Sequence, residues 1–219
     1  MSIAENLQKI NSTVPSNVSL VAVSKTKPVS AIQEAYDAGQ RVFGENKIQE
    51  MVEKHDQLPK DIQWHMIGHL QRNKVKYMAH FVNLIHGVDS FKTLKEINKQ
   101  AIKHNRLINC LLQVKIATED TKFGLSVEDV EGILNSEEFN ALENVSIVGL
   151  MGMASFTDDT SQVRNEFQFL KSTFNKLSAN NQKLTTISMG MSGDYPIAIE
   201  EGSTMIRVGS AIFGLRNYA

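Results

Sequence analysis

Short hydrophobic runs recur along this chain, separated by stretches whose apolar residues fall three and four apart. The runs are residues 19–24 (SLVAVS), 41–44 (RVFG), 62–68 (IQWHMIG), 82–88 (VNLIHGV), 108–116 (INCLLQVKI), 145–153 (VSIVGLMGM), 184–190 (LTTISMG) and 204–210 (TMIRVGS). Their length and their β-branched and aromatic content predict strands. Between them, Ile48, Met51, Val52 and His55 keep helical spacing, as do Leu94, Ile97 and Ala101, and then Val163, Phe167, Leu170, Phe174 and Leu177. Pro28 suits the first turn of a helix running to about Ala38, where Gly39 supplies the left-handed residue that ends it.

Eight strands alternating with helices in 219 residues predict a single (β/α)8 barrel, one domain over residues 1–219. The competing architecture is a doubly wound open sheet. Such a sheet, binding a dinucleotide, would carry GxGxxG after an early strand, whereas the first run here ends in SKTKP. No linker-like or low-complexity tract divides the chain. In a barrel of this kind the chemistry sits at the carboxyl ends of the strands.

Composition narrows the function. The 23 basic and 24 acidic side chains nearly cancel, so no global field attracts nucleic acid or an acidic membrane surface, and an anion must be held locally. Cys110, the single cysteine, lies in the apolar stretch INCLLQV and reads as a small buried hydrophobe. The opening MSIAENLQKINSTV lacks the apolar core of a signal peptide, and no run is long enough to span a membrane, so a cytoplasmic location is expected.

At the strand ends, Lys25 shares a face with Val21 and Val23 just before a turn and a proline. Burial there would depress its amine from about 10.4 and favour the neutral nucleophile that forms Schiff bases. Lys27 shares that face but abuts Pro28. Asn46 follows the second strand in FGENK, either as a hydrogen-bonding site residue or as a helix cap. The third strand runs into His65, His69 and Gln71, yet no cysteine or carboxylate lies nearby to complete a ligand set, and no metal is expected. The fifth strand feeds a polar loop with Lys122 and Gly124, and Asp158 and Asp159 read as caps of a helix beginning near Ser161. Glycines and serines cluster after the last two strands, at Ser188, Gly190, Ser192, Gly193, Gly209 and Ser210, where barrels of this kind cradle phosphate. Arg207 lies between Ile206 and Val208, which suit the helix-covered face, so it points inward and needs a partner, either a structural acid or a ligand.

Taken together and in this order, AVSKTKP, FGEN, WHMIGHLQRNK, GLMGMA and SMGMSGDYPIAIEEGSTMIRVGSAIFG resemble the pyridoxal phosphate homeostasis protein family over nearly the whole chain. The resemblance implies a fold-type-III-like barrel, similar to the barrel domain of alanine racemase and of eukaryotic-type ornithine decarboxylase. The β-rich second domain of those enzymes is not expected, because the chain ends at Ala219 just after the eighth unit. The implied cofactor is pyridoxal 5′-phosphate (PLP), held as a Schiff base on Lys25, with its phosphate on Ser188, Ser192, Gly209 and Ser210. Arg207 would face the pyridine nitrogen, disfavouring its protonation and weakening the ring as an electron sink, and Asn46 would lie near the cofactor. No catalytic residue is implied. The function implied is a carrier or buffer of PLP that influences amino-acid and keto-acid balance. The alternatives are a single-domain PLP enzyme such as an amino-acid racemase, and a barrel that holds another phosphorylated metabolite without covalent chemistry. Expected partners are PLP, amino acids and, transiently, apo PLP enzymes, with the chain a monomer.

Overall fold

Alternation along each strand sends one set of side chains into a barrel and the other beneath a ring of helices. The computed structural model describes residues 2–117 and 124–214, so Lys122 of the polar loop lies outside the described residues. Its strands are β1 (Ser19–Val23), β2 (Val42–Glu45), β3 (Gln63–Met66), β4 (Leu84–Val88), β5 (Ile108–Gln113), β6 (Val145–Met151), β7 (Thr186–Ser188) and β8 (Met205–Val208). Each pairs in parallel with the next, and β8 returns to β1 to close the barrel. The helices among the described residues are α1 (Ile3–Asn11), α2 (Val29–Asp37), α3 (Ile48–Gln57), α4 (Phe91–Lys103), α5 (Val127–Asn135), α6 (Glu137–Asn140), α7 (Thr160–Ser178), α8 (Tyr195–Glu200) and α9 (Ser210–Phe213). No described helix is long and apolar enough to cross a membrane.

Local chemistry explains several boundaries. Pro28 occupies the position just before α2, without a side-chain hydrogen bond to it, and Gly39, at φ +100°, turns the chain out of the helix. Asp159 accepts the amides of Ser161 and Gln162 to start α7, as its sequence position predicts. A capping box between Ser2 and Glu5 starts α1, which periodicity did not single out and which packs against α2 and α9. After β3 the chain forms a 3-10 helix at Arg72–Tyr77. β7 is shorter than the run 184–190, because Gly190 leaves the strand at φ +96° and a Cβ there would stand 2.6 Å from Ala198 Cβ.

Two apolar layers result. Between sheet and helices lie Phe43, Trp64, Met66, Ile85, Ile206 and Val208, all buried, with the Phe43 and Trp64 ring centroids 6.1 Å apart. Inside the barrel Leu84, Leu111 and Met151 form a smaller cluster with Met153 and Met205 against it. Cys110 is fully buried, and burial pushes its thiol up, as befits a small hydrophobe.

Candidate functional site

A cavity of about 810 Å³ opens above the inner cluster at the carboxyl ends of the strands, a size typical of small-molecule sites. Val23, Ile67, Met153, Phe156 and Met191 supply apolar wall, while Lys25, Asn46, Gln113, Ser192, Arg207, Gly209 and Ser210 supply polar groups. Six of the seven residues singled out from the sequence therefore meet in one place. They do so because β1, β2 and β8 are neighbours in the closed sheet, and the loop after β7 folds over the end of β8.

The two lysines after β1 separate clearly. Lys27 Nζ donates to the carbonyls of Phe213 (2.9 Å) and Gly214 (3.1 Å), which hold it at the rim. Lys25 is half-buried and lines the cavity. Asn46 is not a cap, since Lys47 occupies the cap position of α3 and Asn46 lines the cavity instead. Gly68 makes room for it, because a Cβ there would lie 2.4 Å from the Asn46 carbonyl oxygen.

Arg207 enters the barrel from β8 as its alternation predicts, but its partners are neutral. Nη1 donates to Ser188 O (2.8 Å) and Ser188 Oγ (2.5 Å), and Nη2 donates to Gly152 O (3.0 Å). Among the described residues no acid forms a direct ion pair with it, although the Asp194 carboxylate in the same cavity wall favours its charge through space. Burial lowers the guanidinium to about 10, which leaves it charged at neutral pH.

Ser188, expected from the sequence among the phosphate donors, is set deeper than the other six and does not line the cavity. It is fully buried and lies beneath the cavity, where its Oγ also stands 3.0 Å from His86 Nδ1. Register explains the depth: Ser188 pairs with Met205, whereas Arg207 N donates to Gly190 O and Gly209 N donates to Ser192 Oγ (3.1 Å). Ser188 thus sits one layer below Arg207 and two below Gly209, and both its carbonyl and its hydroxyl oxygen accept from the arginine. His86 in turn meets His65, with Nε2 3.1 Å from His65 Nδ1. Burial depresses both rings, His65 to about 3 and His86 well below the usual histidine range, so both stay neutral. His65 and His69, considered together for a metal, part company. His69 lies exposed at the rim, 3.3 Å from Asp89 Oδ2, and no described group of three or more His, Cys, Asp and Glu side chains could hold a metal ion. His86 escaped the sequence reading, although its alternation with Leu84 in LIHGV was signal enough to turn it inward.

At the far end of the cavity, Ser192 Oγ accepts the Gly209 amide, with the Ala211 amide at 3.5 Å, leaving its own proton for an acceptor in the cavity. Gly209 faces inward, and a Cβ there would stand 3.2 Å from Val23 Cβ and narrow the cradle. The site therefore offers an amine, a fixed cation and a neutral cradle of hydroxyl and backbone donors, spaced around a partly apolar hollow.

Comparison with known proteins bears on the family and the fold. The family model described as alanine racemase, N-terminal domain, matches residues 1–217. The chain is 38% identical to the pyridoxal phosphate homeostasis protein of Vibrio alginolyticus over 233 residues, covering 100% of this chain and 99% of that one. To the protein of the same name from Escherichia coli (strain K12) it is 35% identical, covering 94% and 88%. Among solved structures, PipY of Synechococcus elongatus PCC7942 with PLP bound superposes with a TM-score of 0.89 at 37% identity, over 97% of this chain and 100% of PipY. Alanine racemase from Bartonella henselae shares the fold, with a TM-score of 0.75 at 19% identity over 97% of this chain and 58% of that one.

Proposed function

The chain belongs to the alanine racemase N-terminal domain family, and from that premise we propose that it binds PLP in this cavity and serves as a carrier or buffer of the cofactor, influencing amino-acid and keto-acid balance. The observation that carries the reading is the meeting of Lys25, Arg207 and the Ser192–Gly209–Ser210 cradle around one hollow. These residues fit the cofactor's three chemical features. When bound, PLP supplies an aldehyde that condenses with a lysine amine, losing water to leave a Schiff base. Lys25 is the amine, since Lys27 is tied to backbone carbonyls at the rim. Ser192, Gly209 and Ser210 present neutral donors to the phosphate, and the inward face of Gly209 leaves room for its oxygens. Arg207 would face the ring and Asn46 would lie near it, since both line the same cavity. A guanidinium that remains charged disfavours a proton on the pyridine nitrogen, which limits what the ring does for a bound amino acid. That chemistry supports storage and delivery over turnover.

The same reading makes the protein a cytoplasmic monomer that admits amino acids to the loaded site and meets apo PLP enzymes transiently. An absorbance spectrum after incubation with PLP tests it directly: a visible band is expected in the native protein and none in Lys25→Ala. Borohydride reduction followed by peptide mapping should mark Lys25. Mixing the loaded protein with an apo PLP enzyme should restore that enzyme's activity as the band fades. Turnover of amino-acid enantiomers at roughly 1 per second or faster would instead assign a racemase-like enzyme.

A further inference from the structure

Lys25 projects from a tight turn whose two flanking residues are held by charges that belong to other elements. The Lys27 amide donates to Ser24 O (3.0 Å), which makes Lys25 and Thr26 the central pair of a turn. Thr26 has φ +64°, the sign that a type II turn requires at its third residue and for which glycine is the usual choice. A β-branched residue persists there only where its surroundings enforce the conformation.

The enforcing groups come from β2 and α3. Glu45 is the residue next to Asn46, so its side chain takes the opposite face, beneath α3, and is wholly buried. Its Oε1 accepts Ser24 Oγ (2.6 Å) and Lys54 Nζ (2.8 Å). Lys54 Nζ donates also to Ser24 O (2.9 Å) and Glu50 Oε1 (2.6 Å), so its three protons have three acceptors. Glu50 Oε1 then accepts the Thr26 amide (2.5 Å). One ammonium thereby ties the residue before Lys25 to a carboxylate that holds the residue after it.

Stability does not account for this arrangement. A buried ion pair contributes little over apolar residues of the same volume, and Glu45 Oε2 has no hydrogen-bond partner among the described residues. Burial raises the Glu45 carboxyl to about 7 even beside Lys54 and Ser24. What such a network supplies is a defined geometry, and the geometry it defines is that of the Lys25 turn.

We propose that Glu50, acting with Lys54, is a positioning residue that holds Thr26 in its left-handed conformation and so aims the Lys25 amine at the cofactor's aldehyde. The inference rests on the reading that Lys25 is the residue that holds PLP. Misplacement of the amine slows condensation with an aldehyde but leaves the phosphate cradle and Arg207 untouched. Pyridoxine 5′-phosphate, which carries an alcohol where PLP has the aldehyde, therefore serves as the control ligand.

The experiment uses the full-length protein and its Glu50→Ala, Glu50→Gln and Glu50→Ala/Thr26→Gly variants, with the unfolding midpoint recorded for each. Stopped-flow absorbance follows the visible band after PLP is added, and calorimetry measures pyridoxine 5′-phosphate binding. Glu50→Ala should form the band about tenfold more slowly and bind the alcohol within about twofold of the native protein. Glu50→Gln keeps an oxygen acceptor for the Thr26 amide and should recover most of the rate. Glycine adopts positive φ unaided, so the double variant should recover part of it even without the carboxylate. A native rate in Glu50→Ala, an equal loss for both ligands, or no recovery in either rescue variant would overturn the proposal. Failure of the native protein itself to label at Lys25 with borohydride would instead remove the reading on which it rests, and the proposal with it.

Discussion

Acid should weaken this fold through the neutral histidines inside the barrel, and His65→Asn should remove the part owed to His65. The ring of His65 meets another histidine and no carboxylate in its hydrogen bonding, and burial holds it near 3. In the unfolded chain it takes up a proton at about 6.5. A group depressed in this way contributes stability that is present above the unfolded value and is lost as pH falls toward the folded one. The loss is about 1.4 kcal/mol for each pH unit below about 6.5, hence about 2 kcal/mol for His65 at about pH 5. Glu45 works in the opposite direction: its raised carboxyl favours the folded state below the ordinary value of 4.5, and that contribution is lost as pH rises through about 7. A scan of the native protein alone mixes the two, so the informative quantity is a difference between variants. Asparagine places its amide where the His65 Nδ1 stands and retains a partner for His86 Nε2 without titrating. Urea unfolding followed through Trp64, the single tryptophan and wholly buried, should be measured at about pH 7.5 and about pH 5. Between those conditions the native protein should lose about 2 kcal/mol more than His65→Asn. Parallel losses in the two proteins would refute a protonation-resistant His65.

Other consequences follow from single contacts. Ser188→Ala removes an acceptor of Arg207 and a partner of His86, and should cost about 1–3 kcal/mol in urea unfolding while weakening PLP retention; a phosphate-donor role would weaken retention without the stability loss. Gly149→Ala would put a Cβ 1.8 Å from the Thr186 carbonyl oxygen, where β6 meets β7, and should destabilise the barrel by about 3 kcal/mol or more in the same assay. Arg207→Gln should still form the visible band on Lys25, but with an apparent dissociation constant about tenfold higher in PLP titrations, the equivalent of one hydrogen bond from a charged group.

Much of the site was legible before any tertiary structure, because a period of two assigns side chains to faces whatever the strands later pair with. That rule turned Lys25, Arg207 and Gly209 inward, and the glycines and serines after the last two runs marked a cradle that backbone amides can approach. Alternation says nothing of depth. Ser188 and Gly209 both face inward, yet the stagger between β7 and β8 puts one beneath the arginine and the other at the cradle. The contact of His65 with His86 needed the pairing of β3 with β4, and His86 with Ser188 needed closure of the barrel across its interior.

The Lys25 turn shows the same division. Its lysine and the proline that follows are plain in SKTKP, but Thr26 carries no sign of the left-handed conformation it adopts. That conformation is set from α3, through Glu50 and Lys54, more than twenty residues away in the chain. The sequence by itself therefore determined the periodicities, and with them the strands, the faces and the residue types available for chemistry. Only the closed barrel decided which of those residues share a layer and which share a proton, because register and helix packing bring together groups whose separation along the chain carries no distance information.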